Sequence, residues 1–150
     1  MVAYSFQHRF VAPICLGLGR DIPEGFEVGS GLREQEPKRQ TIRAIGKKRH
    51  ARAGELVQLY HGMRTKGCFQ IGVARCVDCL PIFMKVGDPN LGPYVRIEGR
   101  HPFAAHHQLD YFARNDGFSN FAEMTLFWLD HHPAEAYGFR GVIVFWEPLT

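Results

Sequence analysis

Apolar and polar positions alternate from Tyr4 to Phe10, with Tyr4, Phe6, His8 and Phe10 on one side, which is the period of a half-buried strand. Val11 to Gly17 is apolar and predicts a helical turn. Further strands are predicted over Lys38–Arg43, Glu55–Tyr60, Cys68–Val77 and Pro81–Val86, with short ones over Tyr94–Ile97 and His101–Phe103. His61, Gly62 and Gly67 bracket one turn, and Gly87-Asp88-Pro89-Asn90 signals another. The period then changes. Leu109, Phe112 and Ala113 share one helical face in Leu109–Asn115, and Asp116-Gly117 breaks that helix. Ser119 is the expected N-cap of a second helix running to about Asp130. Its stripe of Phe121, Met124, Thr125 and Trp128 reads as core packing, and Pro133 ends it. Phe139–Trp146 is the closing strand. Six to eight short strands with one or two helices late in the chain predict an α+β fold built on a small mixed β-barrel.

The 150 residues suit one domain spanning 1–150, large enough to enclose a core without metal or disulfide support. Leu18 to Gln35 is glycine-rich and is expected to be a surface loop inserted into that domain. No apolar run nears the roughly 20 residues that span a bilayer, so no membrane partner is expected. Met1–Phe10 has no uninterrupted apolar stretch of the kind that directs export, which predicts a cytoplasmic location and reduced thiols at Cys15, Cys68, Cys76 and Cys79. The C-x-x-C at Cys76 and Cys79 is read as apolar packing beside strands rather than as a zinc or redox site. The pairs His106-His107 and His131-His132 point apart on a helix or strand, so no metal is expected, and nothing in the motifs asks for a cofactor.

Charge changes this picture locally. The net charge is +3, yet Arg33–Arg52 holds eight basic residues and two acids. A concentrated cationic segment predicts an anionic partner, with phosphate the first candidate. Within it stands Lys38-Arg39-Gln40-Thr41-Ile42-Arg43. On a strand, Gln40 and Ile42 share one face and Arg39, Thr41 and Arg43 the other, so Lys38 meets Thr41 only if the segment bends or bulges.

This arrangement resembles the ASCH domain family of the PUA-like superfamily. The matching features are K-x-x-T-I-R at Lys38, Thr41, Ile42 and Arg43, the Gly54-Glu55-Leu56-Val57 approach to a strand ending in Tyr60, the following Gly62-Met63-Arg64, and Asp116-Gly117-Phe118 before the second helix. The likeness covers roughly residues 4–12 and 36–146. It implies a PUA-like barrel with a cleft beside the K-x-x-T-I-R segment, associated with RNA or modified nucleosides. One branch of the family hydrolyses the amide of N4-acetylcytidine with a lysine, a threonine and a glutamate. The first two map onto Lys38 and Thr41. The acid falls at Asp116, one methylene shorter. Other members act as ribonucleases or as binding modules.

The chemistry is sound on its own terms. A lysine in a desolvated, cationic pocket loses its proton more easily and becomes a base for Thr41, as in Ser–Lys hydrolases. Asp116 is placed to move a proton to the leaving amine, and Arg43 to anchor an anion. In the bland alternative Lys38 is a surface phosphate contact, Thr41 a strand residue, and Asp116 a helix cap or a partner of Arg43. The expected nucleotide or RNA contacts are Arg39, Arg43, Lys47, Lys48, Arg49 and Arg52, with Tyr60, Phe118 or Phe103 to stack a base. The expected function is thus binding of RNA or a modified pyrimidine nucleoside in a basic cleft, with amide hydrolysis through Lys38, Thr41 and Asp116. The alternatives are a non-catalytic RNA-binding module or a ribonuclease.

Overall fold

The computed structural model describes residues 1–27, 36–87 and 92–149. The strands are β1 (Val2–Phe6), β2 (Gln40–Ala44), β3 (Leu56–His61), β4 (Phe69–Lys85), β5 (Tyr94–Ile97) and β6 (Phe139–Pro148). The helices are α1 (Val11–Leu18), α2 (His106–Asn115) and α3 (Phe121–His131). One mixed sheet runs β1-β3-β4-β6-β2, with β5 paired to the second half of β4. The β1–β3 pair is parallel and every other pair is antiparallel.

The α+β class and six strands match the expectation, but the sheet is not closed. β1 and β2 stand at opposite ends of the strand order. Instead of a ladder, one side chain joins them: Arg43 on β2 donates from Nη2 to the backbone oxygen of Ser5 on β1 at 2.7 Å. The sheet is therefore rolled until its outer strands lie within one arginine's length, and the gap between them is where a cavity opens.

Among the differences from the sequence reading, three bear on the fold. β1 stops at Phe6 because His8–Phe10 turns into a 3-10 segment, which exposes His8 and buries Phe10. Cys68–Val77 and Pro81–Val86 are one 17-residue strand, β4. A register shift between Cys76 and Asp78 absorbs one extra residue against β6. Because side chains alternate along a strand, that residue reverses the faces. Ala74 and Cys76 are buried on one face, while Ile82 and Met84 are buried on the other. The third difference lies at α3, which is capped by Asn120, whose side chain accepts from the Glu123 N–H at 2.8 Å, rather than by Ser119. His101–Phe103 gives only a single bridge, Val95 to Phe103.

The turn expected at Gly87–Asn90 lies largely outside the described residues, as do residues 28–35 of the proposed insertion. The described part of that insertion carries Phe26, which stacks on His8 at 4.3 Å and packs edge-on against His61 and Phe69. No helix among the described residues is long and apolar enough to cross a membrane.

Candidate functional site

Among the described residues, four polar or charged side chains are buried: Lys38, Gln40, Thr41 and Asp116. Burying such groups is costly unless they are paired, so their grouping marks a built site. Lys38 lies two residues ahead of β2. Its backbone N–H donates to Pro13 of α1, and Gly17 packs so closely that a Cβ there would stand 2.9 Å from the Lys38 carbonyl oxygen. The ladder from Gln40 to Ala44 runs against β6 without a register shift. No bulge delivers Lys38; it reaches the site from the extended segment before the strand.

The Lys38 amine donates to the backbone oxygen of Asp116 at 2.7 Å and to its Oδ1 at 3.3 Å. Gln40 Nε2 also approaches Oδ1, at 3.5 Å, and donates to the Phe112 carbonyl at 3.4 Å. Lys38 and Gln40 thus share one acceptor, as their i, i+2 spacing allows. The amine rests 4.6 Å from the centroid of Phe10, a cation–π distance. Behind it, Gly117 has φ +95, and a Cβ there would lie 3.2–3.4 Å from the Lys38 side chain. Only glycine allows both the left-handed backbone and the close packing.

Burial sets the electrostatics. It lowers the Lys38 amine from 10.5 to about 8, against the opposing pull of Asp116. It also raises the Asp116 carboxyl, opposed by Lys38 and Gln40. Both groups are pushed toward their neutral forms, so a proton on this pair is easily given up or moved.

Thr41 is held differently. Its Oγ1 accepts from Arg43 Nε at 3.1 Å, while Arg43 spans to Ser5 and lies 4.9 Å from the Phe6 ring centroid. A guanidinium donating to a hydroxyl oxygen stabilises negative charge developing there. No hydrogen bond joins Lys38 to Thr41, and Asp116 is paired with Lys38 rather than with Arg43.

All four of Lys38, Thr41, Arg43 and Asp116 line one open cavity of about 360 Å³. Its wall also includes β1 and the turn after it (Ser5, Phe10), the start of β6 (Phe139), α3 (Phe127, Trp128), and His132 and Glu135 beyond it. Sequence reading gave no site role to Gln40, Ser5, His132 or Glu135. Gln40 carried the one usable signal, a polar residue spaced two from the lysine.

The other expected contacts lie elsewhere. Arg39, Lys47, Lys48, Arg49 and Arg52 are exposed and do not line the cavity. Arg49 is bound to Glu55, whose carboxyl is held down to about 2 chiefly by that guanidinium. Tyr60 is half-buried on β3, outside the cavity. Phe118 is buried beneath the guanidinium of Arg9, and Phe103 packs on Phe112. Burial pushes the Cys76 thiol up to about 11 and the Cys79 thiol up as well, which leaves them poor nucleophiles.

No family model, no curated protein and no solved structure matches the chain.

Proposed function

We propose that the chain is an ASCH-type amidohydrolase that takes a modified pyrimidine nucleoside, with N4-acylated cytidine as the substrate class. The observation that carries the reading is the grouping of a buried, easily deprotonated amine, a guanidinium-bound hydroxyl and a buried carboxyl around one small open cavity.

In this reading the neutral Lys38 amine takes the Thr41 hydroxyl proton through one water between them, as Thr41 Oγ1 bonds to the acyl carbon. The amide C–N bond breaks. Asp116 and Lys38 return the proton to the leaving N4, and cytidine departs. Water then attacks the Thr41 ester; one of its protons restores the Thr41 hydroxyl, the other leaves to solvent, and the carboxylate is released. Arg43 bears the negative charge that develops on oxygen during both steps.

The size of the cavity favours one nucleoside over a length of RNA, since it falls near the small end of ligand pockets. On that ground we prefer the amidohydrolase to a plain RNA-binding module or a ribonuclease. The test is release of cytidine and acetate from N4-acetylcytidine by wild type and by Lys38→Ala. Turnover by wild type that is lost in the variant supports the reading. No turnover by wild type at high enzyme concentration removes it.

A further inference from the structure

A second cluster of cations lies on β4, β5 and β6, where the sequence showed no basic run. Phe83 on β4 pairs directly with Arg96 on β5 and with Arg140 on β6. Directly opposed residues project to the same face. Their neighbours Ile82, Met84, Val95, Ile97 and Phe139 are buried on the opposite face. Arg96, Phe83 and Arg140 therefore form a row across three strands on the outer side. The guanidinium of Arg140 lies 4.6 Å from the Phe83 centroid, that of Arg96 5.8 Å, and the Lys85 amine 5.9 Å.

Three cations gathered on one ring repel one another and need a reason to stay. Among the described residues, none of them is paired with a carboxylate. The row borders an open groove of about 530 Å³, whose rim adds Arg100 and a single acid, Glu98. Arg100 is itself stacked over Phe145 at 4.5 Å. A guanidinium lying on a ring keeps its N–H edge free for a phosphate and its outer plane free for a base, and it is already ordered before binding.

We infer that this groove is a track for single-stranded RNA. Charge alone would suit any polyanion. Planar guanidiniums backed by aromatic rings add the stacking surfaces that a chain of bases uses and an acidic peptide does not. Phe139 lines the cavity from the inner face of the sheet, while Arg140, the next residue in the chain, lines the groove on the outer face, so the two are separate sites. The groove does not rest on the proposed function.

The experiment is fluorescence anisotropy of a labelled ten-nucleotide single-stranded RNA over a sodium chloride series. Wild type is expected to bind. Arg96→Gln/Arg140→Gln is expected to weaken binding about tenfold and to flatten the log–log salt slope by about 1.4, the share of two phosphate contacts on a single strand. Phe83→Leu is expected to weaken binding several-fold with the slope unchanged, since it removes the backing ring and no charge. Absent binding by wild type, or both variants matching wild type, overturns the inference. Displacement of the RNA by poly-glutamate at equal charge concentration also overturns it, in favour of an acidic peptide. Turnover of free N4-acetylcytidine is read separately. Binding without turnover sinks the hydrolase and keeps the track, and turnover without binding does the reverse.

Discussion

Lys38 and Arg43 stand in the same cationic stretch as Lys47, Lys48, Arg49 and Arg52, yet the two ends of that stretch differ physically. At the first end the charges are driven inside. Lys38 is 2% exposed, faces a buried carboxyl and has its amine lowered to about 8. At the second end they remain in solvent, and the one firm contact is the Arg49–Glu55 pair. The lesson is that charge count finds a region, while burial decides which of its cations can change protonation near neutral pH. An exposed ammonium offers an attraction that salt screens.

The contrast breaks most sharply at Lys38. Lys38→Met is expected to lower amide hydrolysis by about a thousandfold, within the range for a lost general base. It should also destabilise the fold by about 3 kcal/mol, because Asp116 is left buried without its partner. Steady-state assays and urea melts of this variant, set beside Lys47→Ala/Lys48→Ala, check the claim. The surface pair should stay within about 0.5 kcal/mol and twofold in rate. Equal effects at the two ends would erase the distinction.

Thr41→Val is expected to cost about as much turnover as Lys38→Met, with far less stability, since the shape is kept and Arg43 still holds Ser5. A variant that retains turnover would assign the attack to water. Gly117→Ala comes next. It forces a side chain to φ +95 against Lys38 and should cost about 1–3 kcal/mol in denaturant melts.

The pH dependence sharpens the comparison further. In the proposed reaction the neutral amine is the base, so kcat should rise with pH to a plateau above about 8. Stability moves in the same direction. The folded amine sits below its unfolded value of 10.5, so folding is penalised fully below about 8 and the penalty fades as pH climbs toward 10.5. Asp116→Asn removes a carboxylate that holds the lysine up, and should shift the Lys38 titration to lower pH. At the exposed end, Arg49→Ala should only let the Glu55 carboxyl return from about 2 toward ordinary values, seen by NMR titration, with no effect on turnover.

Much of this was legible in the chain. β1 announced itself by alternation and the other strands by short runs of strand-forming residues, and the K-x-x-T-I-R segment with Asp116 named three of the four buried polar residues described. What stayed hidden was long-range. The sequence reading ended one strand at Val77 and began another at Pro81. Yet Val77 is the extra residue at the register shift, Asp78 pairs with Phe145 while its Oδ1 accepts the Cys79 N–H, and the Pro81 carbonyl accepts from Glu98, so the strand continues. The reversal of the buried face at Cys76–Asp78 leaves even-numbered residues apolar on both sides of the shift, which no alternation rule can detect. The row of Arg96, Phe83 and Arg140 comes from three separate strands, so its charge never appeared as a run.

Isotope labelling of the lysine side chains, followed by NMR titration of Lys38 in the intact chain, bears most directly on the account. A midpoint near 8 for Lys38 is predicted. A Lys38 midpoint at 10.5, its value without burial, would contradict it.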